Sequence, residues 1–331
     1  MSVSDRLDHF QQHHPGAGFP LAVIYKYVDD QGAYLAALIA YYGFVSFFPL
    51  LLLSSTILGF VLSGDQRLQH EVLTSALDQF PVIGGDLAQP KRLGGGPVGL
   101  VVGIVGSLYG GLGVAQAFQY ASNTVWGVPR NNRPNPFRAR GRSLVLLAIA
   151  ALAVLGTTAL SIAGGAGAGV LGVGERATAL AASVVINIAM AIFAFRFAPA
   201  LRLSMRDVVP GAIGAALIWQ LLQSFGVVYV RHVIERSSAT NAVFALVLGL
   251  LAFLYITATA VLLCVEINVV RVIRLHPRSL LTPFTDNVTL TAADRRSYSR
   301  QAKAQRSKGF EHVDVNFDPP ETEPVHEDPS P

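Results

Sequence analysis

Eight histidines (His9, His13, His14, His70, His232, His276, His312 and His326) and 21 aspartates and glutamates are the stock from which a hydrolytic centre would have to be built. Cleaving a phosphodiester needs two metal ions held by carboxylates and histidines, or a histidine pair acting as acid and base. No HxHxDH or HExxH spacing occurs, and every histidine falls in a terminus or between apolar segments. His9 and His13 are four apart and would share a helix face, which is also the pattern of a solvated surface. No G-x-S-x-G marks a serine nucleophile, and no Walker motif marks ATP hydrolysis. Gly167, Gly169 and Gly172 match G-x-G-x-x-G, but between two apolar segments and with no acid about twenty positions on, so the match reads as a turn. Cys264 is the single cysteine and leaves neither a disulfide nor a cysteine zinc site. The expectation is a chain with no catalytic residues, no metal and no cofactor.

What remains are polar residues in apolar surroundings. LLCVEINVVR, residues 262–271, places Glu266 and Asn268 where leucine would be at home. Asn187, Gln220, Gln223, Ser46 and the pair Tyr41 and Tyr42 stand in similar company. A charge at the bilayer centre costs about 3 kcal/mol on insertion scales, so such groups face a bundle interior or a wet cavity. Two readings stay open: a polar pathway for a substrate, or hydrogen bonds between neighbouring helices at about 0.6 kcal/mol each.

The elements that must carry these residues follow from the apolar pattern. With 52% hydrophobic and only 14% charged residues, the chain is too apolar for a water-facing surface of its size. Six segments are long enough to cross about 30 Å of hydrocarbon as helices, near 34–62, 98–121, 143–165, 177–197, 208–229 and 241–270. Pro49 near the middle of the first predicts a kink. Glycines at 99, 103, 106 and 110 suit close helix contact in the second. Counting lysine and arginine across this layout puts 19 on the side of both termini and 6 on the other, which predicts cytoplasmic termini and an even number of crossings.

The expected fold is an all-α polytopic membrane bundle over residues 33–275. Residues 1–32 form a cytoplasmic or interfacial segment, without the layout of a cleaved signal. Residues 64–85 carry an amphipathic pattern suited to the outer surface. Residues 276–331 read as a disordered cytoplasmic tail, basic and then acidic, with seven acidic residues and five prolines from Gly309 onward.

Depth then places Glu266. At 1.5 Å per residue it lies about 16 Å beyond the middle of the last helix, near the inner edge of the hydrocarbon. Arg196 and Asn123 end their helices at the same level, which predicts a partly buried Glu266–Arg196 pair serving as a helix clamp or as the wall of a cytoplasmic vestibule. Arg130, Arg133, Arg138, Arg140 and Arg142 face the same side, where they could engage an anionic headgroup or serve topology alone.

Three stretches in order resemble the YihY/BrkB family of bacterial inner-membrane proteins. LAALIAYYGFVSFFPLLLL (35–53) is similar to its first helix, and NTVWGVPRNNRPNPFRARGR (123–142) to its Asn-x-x-Trp and arginine-rich loop. PGAIGAALIWQLLQSFGVVYV (210–230) with LYITATAVLLCVEIN (254–268) is similar to its Pro-Gly, Trp and Glu-x-Asn positions. The resemblance gives Pro49, Trp126, Pro210, Gly211 and Trp219 structural roles. It departs at NAVFALV, where the family usually has Tyr-Gly, and at Cys264 and Val265 before the glutamate. It implies six helices with cytoplasmic termini in the bacterial cytoplasmic membrane. About activity it implies three things: an old ribonuclease label, a virulence label, and suspected transport of envelope lipids. The expectation taken from residues and resemblance together is a non-enzymatic protein moving an amphipathic lipid or glycolipid through a polar cavity. Its partners would be membrane lipids rather than nucleic acid, and it could form homo-oligomers. The alternatives are a membrane-associated ribonuclease and a structural or assembly protein.

Overall fold

The computed structural model describes residues 3–61, 96–165, 173–229, 239–286 and 288–317. The amphipathic stretch 64–85, the glycine motif 167–172 and the acidic end of the tail beyond 317 lie outside these described residues. Among them the fold is all-helical, with no strand. Its helices are α1 (Val3–His13), α2 (Pro15–Asp29), α3 (Gly32–Val61), α4 (Gly96–Val125), α5 (Pro136–Gly165), α6 (Val173–Phe197), α7 (Met205–Tyr229), α8 (Ala239–Ile273) and α9 (Ala292–Ala304).

Among the described residues four stretches are long and apolar enough to cross a membrane: Gly32–Leu53, Leu100–Val125, Pro136–Thr157 and Val247–Ile273. Helix α6 adds a shorter apolar stretch, Ala181–Phe197. Their outward faces carry large apolar side chains, among them Val101, Val105 and Tyr109 on α4, Leu152 and Leu155 on α5, and Leu248 and Ile256 on α8. Such a coat is unfavourable against water and natural against lipid tails.

Small residues set the packing. Helix α3 packs most extensively on α4. A Cβ added at Gly103, Gly106, Gly110 or Gly113 would stand within about 3 Å of Leu53, Pro49, Ser46 or Tyr42, so these glycines let the two backbones approach. Pro49 sits inside a continuous α3 with its ring against Gly106. Helix α8 packs on α7, α3 and α2, and α6 lies between α5 and α7.

Both termini gather at one end of this bundle, and here the structure corrects the sequence reading. Residues 276–317 are not a disordered tail over their described length. Thr291 and Asp294 form a reciprocal capping box that opens α9. The segment before it binds the amino-terminal helices: Leu280 N donates to Asp8 Oδ1 (2.7 Å), and Leu281 N donates to Tyr25 Oη (2.8 Å). Farther along, Arg300 Nη2 donates to the Trp126 carbonyl (3.2 Å) beside Gly127, whose φ of +63° closes the turn after α4. Basic residues alone suggested a solvated tail, but here they have acidic and carbonyl partners to fold against.

Candidate functional site

Three neighbouring features of this bundle carry the chemistry. The first is a buried ion cluster where α2 meets α8. Lys26, near the end of α2, forms an ion pair with Asp30 one turn on and donates to the Val125 carbonyl that ends α4 (3.2 Å). Glu266 of α8 is fully buried, and its Oε2 lies 3.9 Å from Lys26 Nζ. Among the described residues neither Glu266 oxygen has a hydrogen-bond partner within bonding geometry. Burial would lower the Lys26 pKa, but Asp30 and then Glu266 outweigh it and hold the ammonium above its ordinary value. Burial raises Asp30 above the usual carboxylate range, with Lys26 opposing.

One turn away, Arg278 is also fully buried. Its Nε donates to Asp294 (2.6 Å), its Nη1 pairs with Asp29, and it lies between the rings of Tyr25 and Tyr298 at 5.7 and 5.3 Å. Asp29 is raised by burial, an effect that Arg278 opposes. The two charge sets lie side by side on α2 and fasten both termini to α4 and α8.

The expected pairing of Glu266 with Arg196 is therefore wrong. Arg196 is exposed and its Nε donates to the Leu203 carbonyl (3.0 Å), while Lys26 takes the place assigned to it. Lys26 lies in a segment read from sequence as cytoplasmic or interfacial, and only the packing of α2 on α8 brings it to Glu266. Asn123 ties the end of α4 to the connection after α6: Ala200 N donates to its Oδ1 (2.7 Å). Asn268 joins α8 to α7, accepting from Gly211 N (2.8 Å) and donating to the Val208 carbonyl (3.2 Å). Gly211 permits this, since a Cβ there would meet the Cys264 carbonyl at 2.1 Å. Pro210 lacks the N–H that would bond to Arg206, and Arg271 donates to that freed carbonyl instead. Trp126 is buried in the core to which α2, α4, α6, α7 and α8 contribute.

The second feature is an apolar interior. One cavity of about 340 Å³ lies among α3, α4, α6, α7 and α8, walled by Phe118, Met190, Phe195, Trp219 and Phe253, with Asn187 and Thr257 as its polar members. A second, of about 320 Å³, lies among α3, α4, α5 and α6 and carries Ser46 and Ser107. Val114, Phe118, Met190 and Ala194 line both. This corrects the expected polar pathway, because the cavities are apolar. Gln220 and Gln223 are half-buried on α7 and are not in either wall. Tyr42 is packed against Gly113, and Tyr41 is exposed on the outward face of α3.

The third feature is a pair of adjoining hollows of about 650 and 660 Å³ where α5 meets the connection from α6 to α7. Arg142, Phe197, Leu201 and Arg202 line both, Arg138 lines the first, and Arg196 and Phe193 line the second. Phe193 also walls the apolar cavity beside α5, so the hollows and the interior share a side chain. Of the five arginines expected to face a headgroup, Arg138 and Arg142 lie here. Arg133 is turned back onto the Val128 carbonyl (3.2 Å) and the Tyr120 ring (5.1 Å), and Arg130 and Arg140 are exposed away from the hollows.

A family model described as virulence factor BrkB matches residues 23–285. The chain belongs to the BrkB family. This agrees with the resemblance carried by the first helix, the Asn-x-x-Trp loop and the Glu-x-Asn positions, and with apolar helices it makes the chain an integral membrane protein. Neither curated proteins nor solved structures gave a match. The matched span ends just past Arg278, so this BrkB-family chain carries most of its buried ion cluster within the family region and Asp294 beyond it.

Sequence reasoning missed Lys26, Asp29, Asp30, Arg278 and Asp294. The signals were present in part: KYVDD puts Lys26 and Asp30 four apart, and Thr291-x-x-Asp294 is a capping pattern. What linked them to Glu266 was not.

Proposed function

We propose that this BrkB-family protein binds and moves an amphipathic envelope component, a lipid or glycolipid, through the apolar interior of its bundle, and does so without catalysing a reaction. In this reading the six long helices α3 to α8 all cross the bacterial cytoplasmic membrane, with both termini on the cytoplasmic side. The observation that carries it is the pair of apolar cavities sharing Val114, Phe118, Met190 and Ala194 and adjoining the arginine-lined hollows at Phe193. Cavities of some 300 Å³ and more are of the size that holds ligands, and an apolar wall suits an acyl chain rather than a polar solute. The buried carboxylates support the non-catalytic part of the reading: Asp29, Asp30 and Asp294 are engaged with Lys26 or Arg278, and Glu266 is sealed from solvent.

The test is crosslinking in lipid nanodiscs with a phosphatidylcholine bearing a photoactivatable acyl chain. Adducts are expected on Phe118, Met190 and Phe193, and Ala194→Trp should remove them by filling the space common to both cavities. Adducts confined to outward residues such as Val101 and Leu152 would overturn the reading.

Asn268 and Asn123 act as helix clamps, and that favours a structural role for these two residues whatever the interior holds.

A further inference from the structure

We infer that the paired hollows between α5 and the α6–α7 connection are a binding site for the phosphate headgroup of an anionic phospholipid. They bring four arginines together, Arg138, Arg142, Arg196 and Arg202, and among the described residues no carboxylate lines either hollow. Like charges held close repel, and the arrangement gains most from a multivalent anion placed among them.

The four differ in how they are held. Arg142 donates to the Phe197 carbonyl and to that of Pro199 (3.0 Å), lies over the Phe197 ring at 4.8 Å, and keeps a buried Nε with no acceptor. Arg196 is anchored on Leu203. Among the described residues the guanidinium groups of Arg138 and Arg202 make neither hydrogen bond nor ion pair, so their forks are open to a ligand. Two arginines of the site are thus held by the protein and two are open to a ligand.

The rest of the lining selects a lipid over a soluble phosphate. Ile192, Phe193, Leu201, Leu203 and Met205 line it with apolar side chains. The site lies where the apolar stretch Ala181–Phe197 ends, which is the depth of headgroups. Phe193 then leads to the apolar cavity. The course of the acyl chains rests on the function proposed above, whereas the headgroup site does not.

The full chain in detergent can be titrated with dioleoyl phosphatidylglycerol and dioleoyl phosphatidylcholine, bound lipid being counted by native mass spectrometry. Phosphatidylglycerol should bind more tightly. Arg138→Gln and Arg202→Gln should each weaken it by about fivefold, the worth of one arginine near an anionic surface, and leave phosphatidylcholine binding unchanged. Neither side chain bonds to the protein, so both variants should fold, and Arg138→Lys with Arg202→Lys should retain most of the preference. Equal binding of the two lipids by the native chain, or a preference that survives the double glutamine variant, overturns the site. Displacement of phosphatidylglycerol by inorganic phosphate or by a short single-stranded RNA at matched phosphate concentration overturns it in favour of a soluble ligand. If Ala194→Trp leaves both lipids bound and the arginine variants still remove the preference, the headgroup site stands and the interior route fails.

Discussion

Lys26 Nζ stands 3.9 Å from Glu266 Oε2 in a setting where the glutamate side chain has no exposure to solvent. The lysine comes from α2, ahead of the long apolar helices, and the glutamate from α8, the last of them, so the pair joins two parts of the chain that lie far apart in sequence. Asp30 completes the group, giving two carboxylates about one ammonium. Its worth lies less in the net energy of the pair than in the cost of breaking it, since a lone buried charge is far more expensive than a satisfied one.

Removing the ammonium should therefore hurt more than removing the exposed arginine at similar depth. Lys26→Met leaves Asp30 and Glu266 facing each other and should cost about 3–5 kcal/mol. Arg196→Ala, which loses one surface hydrogen bond, should cost under about 1 kcal/mol. Melting of both variants in detergent decides the matter, and a larger drop in Tm for Arg196→Ala would reject the Lys26 assignment.

Arg278 makes the same case for the carboxyl-terminal segment. Arg278→Ala strands Asp29 and Asp294 and should cost about 3–5 kcal/mol. It should also expose the region around α9 to limited proteolysis. Unchanged cleavage between residues 276 and 304 would show that this segment does not depend on the buried pair.

At the contact of α7 with α8, Gly211→Ala puts a methyl 2.1 Å from the Cys264 carbonyl and 2.4 Å from Asn268 Nδ2, both within a packed interface. Overpacking of this kind costs about 1–3 kcal/mol. Gly141, with nothing within 4 Å of an added Cβ, is the control, and Gly141→Ala should leave the melting temperature unchanged or raise it. Equal melting temperatures for the two variants would contradict the close approach.

Tyr298 gives a pH signature. Burial, with Asp29 and Asp294 nearby and Arg278 opposing, pushes its phenol up from the usual 10 to about 12. The fold favours the protonated form, so its contribution to stability is complete below pH 10 and is lost as pH rises through about 12. Tyrosinate absorbance of the native chain and of Tyr298→Phe should be the same at pH 10 to 11 and diverge only near 12. Divergence already at pH 10 would place the phenol in water.

Much of the membrane bundle was legible in the sequence because its signals are local. The apolar runs and the glycines of α4 each follow from residues near one another in the chain, and hydrogen-bonding within a helix leaves few other structures open in lipid. Counting residues could place Asn123 near the end of its helix, though not against its partner, the Ala200 amide. The tail was misread for a related reason: Arg278 and Asp294 look solvated until Asp29 and the two tyrosines are placed around them.

The sequence by itself determined that the chain enters a membrane as helices, which family it belongs to, and that a charge at residue 266 would need a partner. Only the tertiary structure decided that the partner is Lys26 rather than Arg196, that the interior cavities are apolar, and that Arg138 and Arg202 share a groove with Arg142. The reason is that hydropathy acts along the chain, residue by residue, whereas a buried charge is satisfied across space by whichever opposite group the packing delivers. Lys26 lies 240 positions from Glu266, and nothing in the spacing between them records the meeting.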